Sequence, residues 1–210
     1  FHKYIDPLLK KLVYGTWWKN ALTTGCSEWI STAYLAVPED AHDLLKTKKL
    51  IALDQTIFSE HEFLQVNDFL IKKYDELNSI DFLKIKLVLC LPNESFYLNN
   101  DAFLKQIKNA IPEQYSLAET AIKAHPKSKD MALLNSIFPE STLLPNILGM
   151  ELLLPKLTDD TCILGDVSTA LLTAKWLKPQ VTVQAFELDS AISKNLKKLF
   201  NSLGINFIAL

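Results

Sequence analysis

Apolar residues along this chain gather in short runs, parted by stretches in which they recur at helical spacing. The most continuous run, residues 85–91 (I-K-L-V-L-C-L), has the composition of a strand buried on both faces of a parallel sheet. Further runs predict strands at 33–37, 49–53, 142–144, 161–164 and 180–186, the last alternating in hydropathy. Residues 115–124 supply a strand, or a short helix leading into one, that ends at His125-Pro126.

Start signals place helices between these runs. Pro7 suits the first turn of a helix over 6–22 that Gly15 interrupts, and Pro38-Glu39-Asp40 opens one to about residue 46. Ser59 with Glu62 has the capping-box spacing for a helix to about residue 77. Asn100-Asp101 opens a helix through about 110, and a short one follows near 130–134. Pro145-Asn146 precedes a helix over 147–154, and Val167-Ser168-Thr169 opens one to 177. Leu188-Asp189 opens a last one through about 203. From residue 79 onward the strand–loop–helix rhythm predicts an α/β fold with an open parallel sheet flanked by helices. Residues 1–78 hold too few strands for such a domain. They are expected to be the remnant of an N-terminal domain with a linker helix, preceding a domain at 79–188. Residues 189–210 are expected to form a C-terminal helix that packs back toward the N-terminal domain. The chain starts at Phe1 without an initiator Met and reads as part of something longer.

Composition narrows the class. Hydrophobic content of 49% and charged content of 22% suit a folded globular protein. No run approaches the roughly 18 apolar residues of a membrane-spanning helix. A net charge of -2 argues against nucleic acid as a partner. Cys26, Cys90 and Cys162 are odd in number and lack metal-ligand spacing; two of them lie in apolar runs, which fits a reducing, cytoplasmic compartment. The 22 basic residues are all Lys. Any anion must therefore be held by lysine, hydroxyls, backbone N–H groups or helix N-termini, without a bidentate guanidinium. The cluster Lys46-Thr47-Lys48-Lys49 reads first as a solvated face, and second as a contact for a polyanionic glycan or a membrane surface.

Three polar interruptions stand at ends of predicted strands, where open α/β sheets bind ligands. Gly165-Asp166 turns the chain into a helix whose N-terminus carries Ser168 and Thr169. Those hydroxyls and the adjacent N–H groups suit a phosphate, although N-capping needs only one of them. His125, braced by Pro126 and followed by Lys127 and Lys129, can donate to a phosphate oxygen or act as an acid; a loop histidine among solvated lysines is the plainer reading. Glu151 is a carboxylate in the apolar helix I-L-G-M-E-L-L-L, where ribose hydroxyls would be a natural partner and Gly149 would admit a ligand.

The order K-A-H-P, then G-M-E-L-L-L-P-K-L, then G-D-V-S-T-A-L resembles the bacterial sialyltransferases, and the segment T-G-C-S-E-W-I-S-T-A-Y-L-A-V-P-E resembles the capsule polysialyltransferases and lipooligosaccharide sialyltransferases. The likeness runs from about residue 8 to 186. It implies the C-terminal half of a two-domain GT-B glycosyltransferase, in which residues 79–188 form a Rossmann-like domain for the nucleotide-sugar donor. By that resemblance His125 contacts the donor phosphate and assists loss of CMP, and Pro126 shapes its loop. Glu151 binds the cytidine ribose, Ser168 and Thr169 bind the phosphate, and the loop with Asn93 and Ser95 touches the donor. The implied reaction transfers sialic acid from CMP-sialic acid to a hydroxyl of a surface glycan, with inversion and without a metal or other cofactor. The implied partners are a CMP-sugar, a glycan acceptor and the missing N-terminal domain, at a cytoplasmic site peripheral to the inner membrane.

One element of that family pattern is missing. The acidic-acidic-Gly triplet that supplies the base has no counterpart, since Glu39-Asp40 precedes Ala41 and Asp159-Asp160 precedes Thr161. The expectation is that the base lies in a missing N-terminal portion, so that this chain alone binds donor without turnover. Two alternatives stand beside this reading: a GT-B transferase of another nucleotide sugar such as CMP-Kdo, and a non-catalytic α/β domain of a glycan-assembly complex.

Overall fold

The structure is a computed structural model that describes residues 9–15, 19, 23–98, 101–187 and 194–210. The chain divides into two compact units, residues 1–54 and 55–210.

In the first unit residues 9–14 are helical (α1), and Gly15 leaves the helix at a φ of 93° that L side chains rarely adopt. The remainder of the helix expected over 6–22 lies largely outside the described residues. Strands β1 (Thr32–Leu35) and β2 (Lys49–Ala52) pair in parallel, with Tyr34 opposite Ile51. The helix expected to run to residue 46 does not form. Pro38–Asp40 makes a single 3-10 turn, Ala41 is extended, and the His42 ring accepts a hydrogen bond from the Leu44 N–H, which diverts the chain into turns.

The second unit is α/β. Six parallel strands form one open sheet in the order β5-β4-β3-β6-β7-β8, with helices on both faces. The strands are β3 (Leu87–Cys90), β4 (Thr120–Lys123), β5 (Thr142–Leu144), β6 (Cys162–Gly165), β7 (Thr182–Glu187) and β8 (Asn206–Ala209). Strand β3 is buried at every position, and its pleat divides it between two cores: Leu87 and Leu89 face one, Val88 and Cys90 the other. The first core is closed by α4 (Asp101–Asn109) and α5 (Met131–Ile137). The second is closed by α6 (Met150–Leu153), α7 (Thr169–Leu177) and α8 (Lys194–Ser202), joined by α2 (His61–Lys72) and α3 (Asp75–Asn78).

Several expected boundaries shift. Residues 55–78 belong with the second unit, because Ile71 and Leu77 are buried in its core. The segment 189–210, described from Lys194 on, holds more than the single helix expected. Gly204, at a φ of 75°, turns the chain after α8, and β8 joins β7 as the sixth strand. The helix start expected at Leu188-Asp189 lies outside the described residues, as does Asn100. The Ser59 capping box is not formed, since the Ser59 hydroxyl donates to the Thr56 carbonyl and Glu60 is the residue before α2. Helix α6 is a single turn continued by the 3-10 turn Leu154–Lys156, and it starts only after Gly149.

The strand order reverses between β3 and β6. From β3 the chain winds outward through β4 and β5, then returns to β6 and winds the other way. Sheets of this kind open a crevice at the carboxyl ends of the two central strands. Gly165 is needed at that point, because a Cβ there would stand 2.4 Å from the Cys90 carbonyl oxygen and 2.7 Å from its Cβ. Among the described residues no helix is long and apolar enough to cross a membrane.

Candidate functional site

Lys123 ends β4. The alternation of that strand turns Ala121 toward the second core and Ile122 toward the first, so Lys123 points to the side of α6. It is 6% exposed, and its ammonium donates to the Asn146 carbonyl at 3.0 Å. Burial holds that ammonium below the ordinary lysine range, opposed by the charges of Cys90 and Glu151. Burial also pushes the Cys90 thiol up to about 12, so it is neutral while Lys123 titrates.

Two residues on, the chain leaves the sheet in a turn closed by the Ser128 N–H on the His125 carbonyl at 2.8 Å. Within that turn His125 Nδ1 accepts from the Lys127 N–H at 3.1 Å. An acceptor nitrogen carries no proton, so the neutral ring bears its hydrogen on Nε2. His125 is half-buried, and Pro126 stands exposed beside it.

Glu151 is exposed, which corrects the expectation of a carboxylate enclosed by apolar neighbours. Because α6 is so short, its second residue faces outward while Met150 and Leu153 fill the core. The carboxylate folds back over Gly149: a Cβ on Gly149 would lie 2.3 Å from Glu151 Oε1.

Ser168 is the residue before α7 and has extended backbone, yet its hydroxyl makes no capping bond. The simplest structural use of that side chain, satisfying a helix N–H, is therefore absent here. The nine-residue α7 presents unpaired N–H groups and a positive dipole end beside Ser168 and Thr169.

These groups meet in one cavity of about 310 Å³. Lys123, His125, Pro126, Gly149, Glu151, Ser168 and Thr169 all line it, with Cys90 and Leu91 from the end of β3. Its volume lies at the lower end of ligand sites, which run from roughly 300 to 1,000 Å³. One carboxylate, one buried ammonium, an imidazole donor and a helix terminus suit a small anion carrying hydroxyls.

Asn93 and Ser95 do not line this cavity. Asn93 instead caps the 3-10 turn Glu94–Phe96, its side-chain oxygen accepting from the Ser95 N–H at 3.0 Å. The acidic pairs are elsewhere too. Asp159 bridges to Lys178 and Asp160 to Lys86, while Glu39 and Asp40 lie in the first unit. Among the described residues no group of three or more His, Cys, Asp or Glu is arranged to hold a metal ion. Lys123 opens the K-A-H-P motif, yet it was assigned no role from the sequence. Its signal was a charged residue closing a strand, T-A-I-K, that is otherwise apolar after its threonine. A second cavity of about 200 Å³, lined by Phe58, Leu64, Pro155 and Gln180 among others, shares Glu151 with the first.

Compared with protein-family models, curated proteins and solved structures, the chain has no match.

Proposed function

We propose that the cavity binds the nucleoside monophosphate portion of a CMP-linked sugar, and that this chain is the donor-binding half of a sialyltransferase-like glycosyltransferase of GT-B type. The observation that carries this reading is the convergence of His125, Glu151, Ser168 and Thr169, distant in sequence, on one cavity at the strand-order reversal. The nucleotide and sugar come from the family resemblance.

In this reading the phosphate rests on the N-terminus of α7, with Ser168 and Thr169 donating and His125 Nε2–H on its other side. Glu151 accepts from ribose hydroxyls, and Lys123 supplies the positive charge. Transfer breaks the bond between the sugar's anomeric carbon and the phosphate oxygen, and the electron pair leaves on CMP. The acceptor oxygen attacks from the opposite face, which inverts the anomeric centre. The groups around the phosphate stabilise the charge that develops there, a contribution of about 3–4 kcal/mol per well-placed donor in enzymes studied by mutation. The hydroxyl proton needs a base that these residues do not supply, so the chain alone is proposed to bind donor without turning it over. The working site would be cytoplasmic, at the inner-membrane surface where a glycan acceptor is available.

The test is a calorimetric titration with CMP, CDP, UDP and ADP. The reading predicts preference for CMP; equal weak binding of all four, or none, overturns it. Preference for CMP together with transfer from CMP-Kdo but not CMP-sialic acid, in a protein completed with an N-terminal domain, would select the Kdo alternative.

A further inference from the structure

The loop that carries His125 is gripped from both neighbouring crossovers, by residues to which the sequence pattern assigned no part in the site. Ser128 is 4% exposed, and its hydroxyl bonds the phenol of Tyr97, itself 1% exposed, at 3.1 Å. Tyr97 belongs to the loop after β3. From the loop after β5, Asn146 Nδ2 donates to the Ser128 carbonyl at 2.6 Å. The same Asn146 accepts Lys123 Nζ on its own carbonyl at 3.0 Å. Glu94 adds a third hold, accepting the Lys129 N–H at 2.6 Å.

With Tyr97 and Ser128 buried and Asn146 half-buried, these bonds serve position as well as stability, because a hydrogen-bonded network fixes how its members are arranged. The four-residue turn from His125 to Ser128 is closed by a single backbone bond and is otherwise free to open. Held at Ser128, it keeps the Lys127 N–H on His125 Nδ1 and so leaves the proton on Nε2. Through Asn146, the same contacts tie the Lys123 ammonium to this loop.

We infer that Tyr97, Ser128 and Asn146 are positioning residues, which clamp the His125 turn so that the ring meets an anion as a neutral Nε2–H donor. The assignment rests on the donor-site reading for the identity of the anion, but not for the state of the ring. It also separates two roles left open for the histidine: the clamp favours a hydrogen-bond donor over a proton-transferring acid.

Histidine-selective ¹⁵N NMR of the whole chain at about pH 8.5, above the ordinary imidazole range, reads the tautomer directly. Comparison with a His125→Ala spectrum picks its signals out from the four histidines. The intact chain should show Nδ1 unprotonated and Nε2 protonated. Tyr97→Phe and Asn146→Ala should each raise the Nδ1–H population and weaken CMP binding roughly three- to tenfold, as expected for one lost buried hydrogen bond. Circular dichroism establishes that each variant is folded, and Tyr97→Phe, which keeps the ring, covers the case in which Asn146→Ala does not fold. An Nδ1–H ring in the intact chain, or variants whose tautomer is unchanged, overturns the inference. If the tautomer responds as expected and CMP fails to bind the intact chain, the donor reading falls and the clamp stands.

Discussion

The carboxylate of Glu151 lies in the space that a side chain on Gly149 would fill, with Oε1 only 2.3 Å from where that Cβ would be. Glycine at 149 is thus what lets the acid fold back along the cavity wall. Gly149→Ala should displace the end of a flexible side chain and shift stability by no more than about 0.5 kcal/mol. It should nonetheless weaken CMP binding several-fold, and calorimetry of the variant beside its melting temperature checks both halves.

If Glu151 receives ribose hydroxyls, the intact chain should prefer CMP over 2′-deoxy-CMP by about three- to tenfold, one hydrogen bond's worth. Glu151→Ala should remove the preference while leaving the weaker binding of deoxy-CMP nearly unchanged. Competition titration of the two nucleotides reads this, and an undiminished preference in the variant would take the ribose role from Glu151.

Ser168 stands before α7 without capping it. A working N-cap costs about 0.5–2 kcal/mol when replaced by alanine. Ser168→Ala should cost less than that range in urea unfolding and still reduce CMP affinity. A loss of about 1 kcal/mol or more would mean that the hydroxyl serves the helix after all.

Lys123 is buried with its charge, and burial disfavours the charged form. Lys123→Met keeps the length and removes the charge, at the cost of one donor to the Asn146 carbonyl. Stability should stay within about 1 kcal/mol of the parent or rise, since apolar replacements of buried ions are often neutral or better. CMP affinity should fall at least about tenfold. Such a split between stability and binding is the mark of a residue kept for a ligand.

The exposed pair Lys86–Asp160, 2.7 Å apart, gives a pH prediction. Hydrogen bonds from Lys86 and then Thr158 hold the Asp160 carboxyl at about 2, below its ordinary 3.8. As acid is added the unfolded chain takes up this proton first, so the contribution is present above about pH 4 and lost as pH falls toward 2. Thermal melts of Asp160→Asn should show a shallower decline across that window than the parent, by a small margin because the pair is exposed.

How much of this was legible before the structure varies by residue. Strands 85–91 and 161–164 were recognisable because a strand buried on both faces must be apolar almost throughout, whereas 142–144, half-buried at one sheet edge, showed only as a short apolar run. Strand β8 escaped because Asn206-Phe207-Ile208-Ala209 is short and sits at a half-exposed sheet edge, where that constraint relaxes. The helix at Ser59 followed a local signal that a competing bond, Ser59 to the Thr56 carbonyl, removed. At the site, His125, Glu151, Ser168 and Thr169 were readable as polar breaks at strand ends. Lys123, Tyr97 and Asn146 were not. Their roles depend on three loops meeting in space, which no local pattern encodes.

The most direct test is calorimetric titration of CMP into the intact chain, into His125→Ala and into Ser168→Ala/Thr169→Ala. Saturable one-to-one binding by the parent, with the heat lost or strongly weakened in both variants, is the predicted result. No binding by the parent, or equal binding by all three, would contradict the donor site.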